Sequence, residues 1–443
     1  MWHRKLLLVT LCMLLVISLL PVISPAQEQV TITYRTWEGG EMMKINQSQV
    51  DAFMRKHPNI KVILSTVPEN YDEKLQIETA SGNAPDVFQL SAENIASWGS
   101  RGVLLDLKPY FDASSDLKLS SFYEPLQRQY TVNGKTYGMS NAVEISLIFY
   151  NKKLFEKAGL PYPAADPAKA KNWLWDQYVD VAKKLTVVDP NNPSNILQWG
   201  TTTTRGWVFY FMPLVWSNGG QLFSKDYKEF LLNRPEAYEV LQKDADLAQK
   251  LRIASKSEDL QKLGMGNVDL LAQGKLAMLI TGTWDVFSLS VDRKFHDWDV
   301  TYLPVFKPGK LYTTIPQSGY SIYSKTKHPK EAFEFLKFLL SEEGQLYRAK
   351  VGNVLPSIKS LLTPAAQKKW ISPAIHSPNF GRVVFNYMRY GMLLTPTNYF
   401  PDNWLKISDV LDAELGPIWS GKKTAKEATE SAAAKINAIL QGK

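Results

Sequence analysis

Tryptophans, carboxylates and amides recur in this chain where strand or helix patterns stop. The segments are Trp37-Glu38-Gly39-Gly40, Asn141 with Glu144, Trp216-Ser217-Asn218-Gly219-Gly220, Gly282-Thr283-Trp284-Asp285 and Gly319-Tyr320. An indole or phenol ring offers a flat face for stacking, and carboxylates and amides exchange several hydrogen bonds at once. Such a set suits a ligand with an apolar C–H face and a rim of hydroxyls, as a sugar has, with the bonds to carboxylates the stronger ones. Trp37 and Trp284 fit this best, each just past a strand and beside a carboxylate, where α/β folds hold ligands. Trp173, Trp175, Trp298, Trp370 and Trp419 read as core packing.

Other chemistries lack their residues. His57, His296, His328 and His376 are far apart in sequence and none has metal-ligand spacing, so neither metal nor cofactor is expected. Gly134-Lys135-Thr136 lacks the earlier glycine of a phosphate-binding loop, and Pro316 stands where a nucleophile elbow needs glycine. Nothing demands an enzyme. One rival reading is a secreted glycoside hydrolase with Glu144 and Asp285 as its carboxylate pair. Another is a receptor of the same fold for an anion such as a sugar phosphate or uronate, held by Arg205, Arg382 or Arg389.

The elements that must position these residues alternate between strand and helix. Val30–Arg35 alternates as a strand, Ile45, Val50, Phe53 and Met54 follow at helical spacing, and Ile60–Leu64, Glu69–Ser81 and Asp86–Leu90 read as strand, helix and buried strand. Tyr130–Gly138 reads as a hairpin turning at Asn133-Gly134, and Ile145–Tyr150 as a buried strand. Ala332, Phe335, Leu336, Leu339 and Leu340 mark a helix with Pro329 in its first turn. Thr424 and Glu427 have capping-box spacing for a terminal helix. This alternation predicts an α/β architecture of sheets covered by helices.

With 443 residues, 45% of them hydrophobic, the chain is long enough for two lobes with their own cores. Lys and Arg exceed Asp and Glu by 51 to 43 without a dense basic run, so nucleic acid is not an expected partner. His3, Arg4 and Lys5 precede the apolar run Leu6–Leu20, and Ser24 and Ala26 supply a cleavage site. Residues 1–26 therefore read as a secretory signal. The single cysteine, Cys12, lies inside it, which suits export to an oxidising compartment.

Taken in order, several segments resemble the extracellular sugar-binding proteins of ATP-binding-cassette importers, the group that includes the maltose- and trehalose-binding proteins. They are Ser81–Val87, Tyr137–Glu144, Tyr150–Leu160, Trp175-Asp176 with Ala182–Thr186, Gly274–Met278 with Gly282–Trp284, Ser318–Tyr320 and Gly352–Pro356. The resemblance covers nearly all of the chain after the signal. Leu90 stands where maltose-type proteins have an aromatic, Thr283 where proline is usual, and Pro161–Asn172 is longer than its counterpart. These departures bear on the ligand.

The resemblance implies an α/β, two-lobed periplasmic-binding-protein fold of type II with a hinge-closing cleft, both lobes discontinuous. The chain would cross near 142, 317 and 394, giving one lobe from 27–142 and 318–394 and the other from 143–317 and 395–443. It also implies roles: Glu144 as a carboxylate at the first crossing, Trp284 as the stacking aromatic, and Tyr320 as the aromatic after the second crossing. Glu93 and Asn94 become polar ligands past the Asp86 strand, Trp37 and Glu38 a cleft-facing loop, and Asn398 and Tyr399 a further contact. Asp86 itself reads as tying a turn. The implied partners are a mono- to oligosaccharide and the membrane permease subunits of an importer, bound by a monomer in the periplasm or outside the cell.

Overall fold

The computed structural model describes residues 29–315, 318–390 and 404–442. The signal segment and Asn398 and Tyr399 lie outside them. Among the described residues no helix is long and apolar enough to cross a membrane.

The first sheet grows from a β–α–β unit. Strand β1 (Val30–Thr36) buries Ile32, Tyr34 and Thr36 on one face. Helix α1 (Gly40–Lys56) carries the chain back to β2 (Ile60–Thr66), which pairs in parallel with β1 from Val30↔Ile60 to Thr36↔Thr66. Helix α2 (Tyr71–Ser81) leads to β3 (Val87–Ser91), parallel to the other edge of β1. The strand order is completed later in the chain by β9 (Ser318–Ile322) and β4 (Met139–Ser140), giving β2-β1-β3-β9-β4. Asp86 stitches this sheet as expected: its carboxylate accepts from the Thr33 amide and hydroxyl, both at 2.8 Å, and from the Thr326 hydroxyl at 2.5 Å.

The chain leaves the first sheet through β4 (Met139–Ser140), passes β5 (Ala142–Val143), and enters a second sheet at β6 (Ser146–Asn151), buried at every position. Helices α3 (Trp175–Leu185), α4 (Val208–Asn218) and α5 (Pro235–Gln249) follow. Then β7 (Met278–Gly282) and β8 (Trp298–Thr301) flank β6 antiparallel. Strand β9 (Ser318–Ile322) returns to the first sheet, antiparallel to both β3 and β4. Helices α6 (Pro329–Leu340) and α7 (Glu342–Ala349) cover that sheet, Phe335 meeting Tyr34 and Phe53 edge-on. Next, β10 (Leu355–Pro356) pairs with β5 between the two sheets.

The expected third crossing near 394 puts helix α8 (Phe380–Tyr390) with the first sheet; it packs on the second. Val383, Val384 and Tyr387 bury against Trp298, Val300 and Tyr302, and the Tyr387 hydroxyl accepts from the Leu303 amide at 2.6 Å. An amphipathic helix covers whichever apolar sheet lies nearest, and its periodicity carries no address for that sheet. Helices α9 (Trp404–Trp419) and α10 (Ala425–Leu440) join the core of the second sheet, α10 opening with the Thr424–Glu427 capping box.

Candidate functional site

Between the two sheets lies a cleft of about 750 Å³. Trp37 and Glu38 reach it from the end of β1, Ser91 and Glu93 from the end of β3, and Glu144 and Ser318 from the segments that pass between the sheets. The opposite wall is aromatic: Trp207 and Phe209 at the start of α4, and Trp284 and Phe287 past β7. All of these sit at the ends of strands or helices, where the backbone stops pairing with itself and the side chains project freely.

The aromatic wall is held from behind. Trp284 folds back over Gly282, where a Cβ would meet the indole at 2.0 Å, so glycine is required by close approach. Trp207 stands edge-on to Trp284, with ring centroids 5.8 Å apart, and to Tyr210 at 4.5 Å. Trp207 is 39% exposed, a large apolar ring left for something else to cover. The turn that presents it has positive φ at Arg205 (52°) and Gly206 (81°), and Asp244 anchors it. Asp244 accepts from the Thr204 amide (3.0 Å) and hydroxyl (2.6 Å) and from the indole N–H of Trp419 (2.6 Å). Burial pushes its carboxyl up to about 6 against these bonds.

The carboxylates differ in what they hold. Glu38 is engaged: Arg348 donates to it from both terminal nitrogens, Nη1 at 3.0 Å and Nη2 closer still, and the Asn46 amide donates at 2.8 Å. Arg348 also donates to Asn353 at 2.7 Å and is buried. Glu93 and Glu144 have no cation bonded to them among the described residues. Burial, reinforced by Asp72, raises the Glu93 carboxyl to about 7. Burial also raises Glu144 to about 7 against the pull of nearby Arg348, and among the described residues its side chain accepts one long bond, from Ser318 Oγ at 3.4 Å. Two carboxyls near neutrality in a partly desolvated cleft can each accept or donate to a hydroxyl.

Of the residues expected at the site, the cleft gathers Trp37, Glu38, Glu93, Glu144 and Trp284. The rest of those described lie elsewhere. Tyr320 is wholly buried, its hydroxyl beneath Arg348 and its ring edge-on to Tyr34, because alternation along β9 turns it into the core. Trp216 packs against Tyr312 in the core of the second sheet. Asn218 ends α4, donating to the Glu236 carbonyl at 2.9 Å. Asp285 sits behind the aromatic wall, accepting from Thr281 at 2.7 Å, with burial raising it to about 6. Asn94 and Asn141 are buried in the wall rather than lining it, Asn141 accepting from Ser318 Oγ at 3.3 Å. Sequence reasoning missed Trp207, Phe209 and Arg348. Arg205-Gly206 before Trp207 is a turn signal that could have flagged the first; nothing local marks Arg348. Arg205 bonds to Asn267 at 3.2 Å and does not line the cleft, nor does the exposed Arg382; the Arg389 side chain lies outside the described residues.

A two-sheet body with an interlobe cleft of this make-up defines a ligand-capturing receptor, and comparison with known proteins agrees. Residues 38–346 match the family described as bacterial extracellular solute-binding protein, and the chain belongs to that family. It is 24% identical over 418 residues to the galactooligosaccharide-binding protein of Bacillus subtilis (strain 168), covering 92% of this chain and 89% of that one. An ABC substrate-binding protein of Listeria monocytogenes, solved in complex with cycloalternan, superposes with a TM-score of 0.81 at 28% identity, over 94% of this chain and 100% of that one. The maltose/maltodextrin-binding domain of Bdellovibrio bacteriovorus, bound to maltotriose, gives 0.76 at 20% identity over 93% and 100%. The last of these speaks for the fold alone.

Proposed function

We propose that this chain is the exported receptor of a sugar importer, capturing a mono- to oligosaccharide in the cleft and passing it to membrane permease subunits. The observation that carries this reading is one cavity uniting an exposed aromatic wall, Trp207 with Trp284, and two uncommitted carboxyls, Glu93 and Glu144. The rings suit the C–H face of a pyranose and the carboxyls its hydroxyls. The sugars named for the relatives support the class.

The cleft also speaks against an anionic ligand. Arg348 is the one cation among its described lining residues, and Glu38 already holds it. A glycoside hydrolase pairing Glu144 with Asp285 is disfavoured because Asp285 is bonded behind the wall and does not line the cavity.

In mechanism, Trp37 and Glu93 belong to the first sheet and Trp207 and Trp284 to the second. A ligand makes its full contact set only when the two approach, which shifts the hinge equilibrium towards closure. The rungs Ala142↔Pro356 and Val143↔Leu355 lie between the sheets, and we place the third crossing there. The test is a melting screen against neutral mono- and oligosaccharides. Ligand at ~100 times its Kd adds about 2.7 kcal/mol of stability, enough to move the melt clearly. A shift with stoichiometric binding and no turnover is the expected result. Silence across all carbohydrates overturns the sugar, and release of hydrolysed product overturns the receptor.

A further inference from the structure

A second cavity, about 680 Å³, opens on the second lobe away from the cleft and shares no lining residue with it. Its walls come from the hairpin Val187–Asp189/Asn192–Gln198 and from segments ending at Lys275. Arg252, Lys256, Lys262 and Lys275 line it with a single acid, Asp259, which is spent on the Lys256 backbone amide at 2.8 Å. The three lysines form no ion pair among the described residues. Nearby, Asp189 is occupied by Asn191 and Asn195 of its own hairpin, and Glu258 is exposed beside Lys256.

Exposed apolar side chains stand beside this basic face. Leu197 lines the cavity, Val187 and Val188 lie on the strand paired with that of Leu197, and Leu251 precedes Arg252; each is 40–47% exposed, four of the few large apolar side chains left so open. Arg252 holds the hairpin in place: at a positive φ of 55° it donates to the Pro193 and Ser194 carbonyls at 2.9 and 2.8 Å, fixing them beside Leu251.

We propose that this face docks on the surface of an anionic phospholipid bilayer. Uncommitted cations interleaved with exposed aliphatic side chains match a surface that presents phosphates above hydrocarbon. A soluble anion would use the lysines and leave the exposed aliphatic side chains without a role. Docking in this way would hold the receptor within reach of a membrane partner. It does not depend on which ligand fills the cleft.

The test is co-sedimentation of the chain with vesicles of phosphatidylcholine alone and of phosphatidylcholine mixed with phosphatidylglycerol, at low and high salt. Each lysine near an anionic surface contributes about fivefold in partitioning, so Lys256→Gln/Lys262→Gln/Lys275→Gln is expected to weaken binding about 100-fold. Salt should release the parent chain from the mixed vesicles, through screening over about 10 Å at 0.1 M. Leu197→Ser/Leu251→Ser, exposed and safe for folding, should weaken binding at unchanged melting temperature. Equal binding to both vesicle types, or a triple variant that binds as well as the parent, overturns the proposal. So does release by millimolar inorganic phosphate with no effect of the leucine variant, an outcome that would make the face a soluble-anion site.

Discussion

Arg348 and Glu38, 310 residues apart in sequence, meet in a two-pronged ion pair that fastens helix α7 to the loop after β1. The pair forms the floor of the cleft and also decides its electrostatics, because it neutralises the cation that would otherwise attract an anion.

Both partners are nearly buried, at 3% and 11% side-chain exposure, so removing one strands the other. Arg348→Ala is expected to cost about 3–5 kcal/mol in denaturant unfolding. Arg348→Met combined with Glu38→Gln should cost much less, since no unpaired charge remains. Equal losses in the two variants would deny that the pair acts as a unit.

At Trp207 binding should suffer more than stability. Its ring is 39% exposed but meets Phe209, Tyr210 and Trp284 edge-on, so Trp207→Ala should cost the free protein only about 1–2 kcal/mol in denaturant unfolding. Sugar affinity measured by calorimetry should fall at least about fivefold, the worth of roughly 1 kcal/mol of ring contact. Retained affinity would remove Trp207 from the site.

At Gly282 the two effects should appear together. An alanine Cβ would lie 2.0 Å from the Trp284 indole, which must swing away. Gly282→Ala is expected to cost about 1–3 kcal/mol of stability and to reproduce the affinity loss of Trp284→Ala. Indole fluorescence of the free protein should also change.

Glu93 and Glu144, both raised to about 7, predict an inverted pH dependence for the empty receptor. Between the ordinary glutamate value of 4.5 and about 7 the folded state binds more protons than the unfolded chain. Their contribution to stability is therefore full below that window, shrinks as pH rises through it, and is gone above it. The melting temperature of a Glu93→Gln/Glu144→Gln variant should change less than that of the parent between pH 5 and 8. Parallel profiles would show that neither group titrates there.

Asp244 tests how the wall is mounted. Asp244 is buried and accepts from three donors, the Thr204 amide and hydroxyl and the Trp419 indole N–H, so Asp244→Ala removes the acceptor from all three and frees the turn before Trp207. A cost of about 2–4 kcal/mol is expected, one unsatisfied group being worth about 1–3 kcal/mol. Ligand affinity should fall as well, although Asp244 touches no ligand. Unchanged affinity in the folded variant would limit Asp244 to a structural part.

The linear chain by itself determined the local elements and the punctuation between them. The alternation in Val30–Thr36, the Asn133-Gly134 turn, the proline at the start of α6 and the Thr424–Glu427 capping box all act within a few residues of themselves. Trp37, Glu144 and Trp284 follow strand ends or apolar-strand signals that are visible locally, Glu93 is expected only from the family resemblance, and all four line the cleft. Tertiary structure decided what depends on distant partners. It turned Tyr320 inward through sheet alternation and placed α8 on the second sheet. It also brought Arg348 to Glu38 and raised Trp207 beside Trp284. Periodicity and capping are short-range and can be read in order, whereas burial, charge pairing and the shape of a cleft arise only when separate segments share one space.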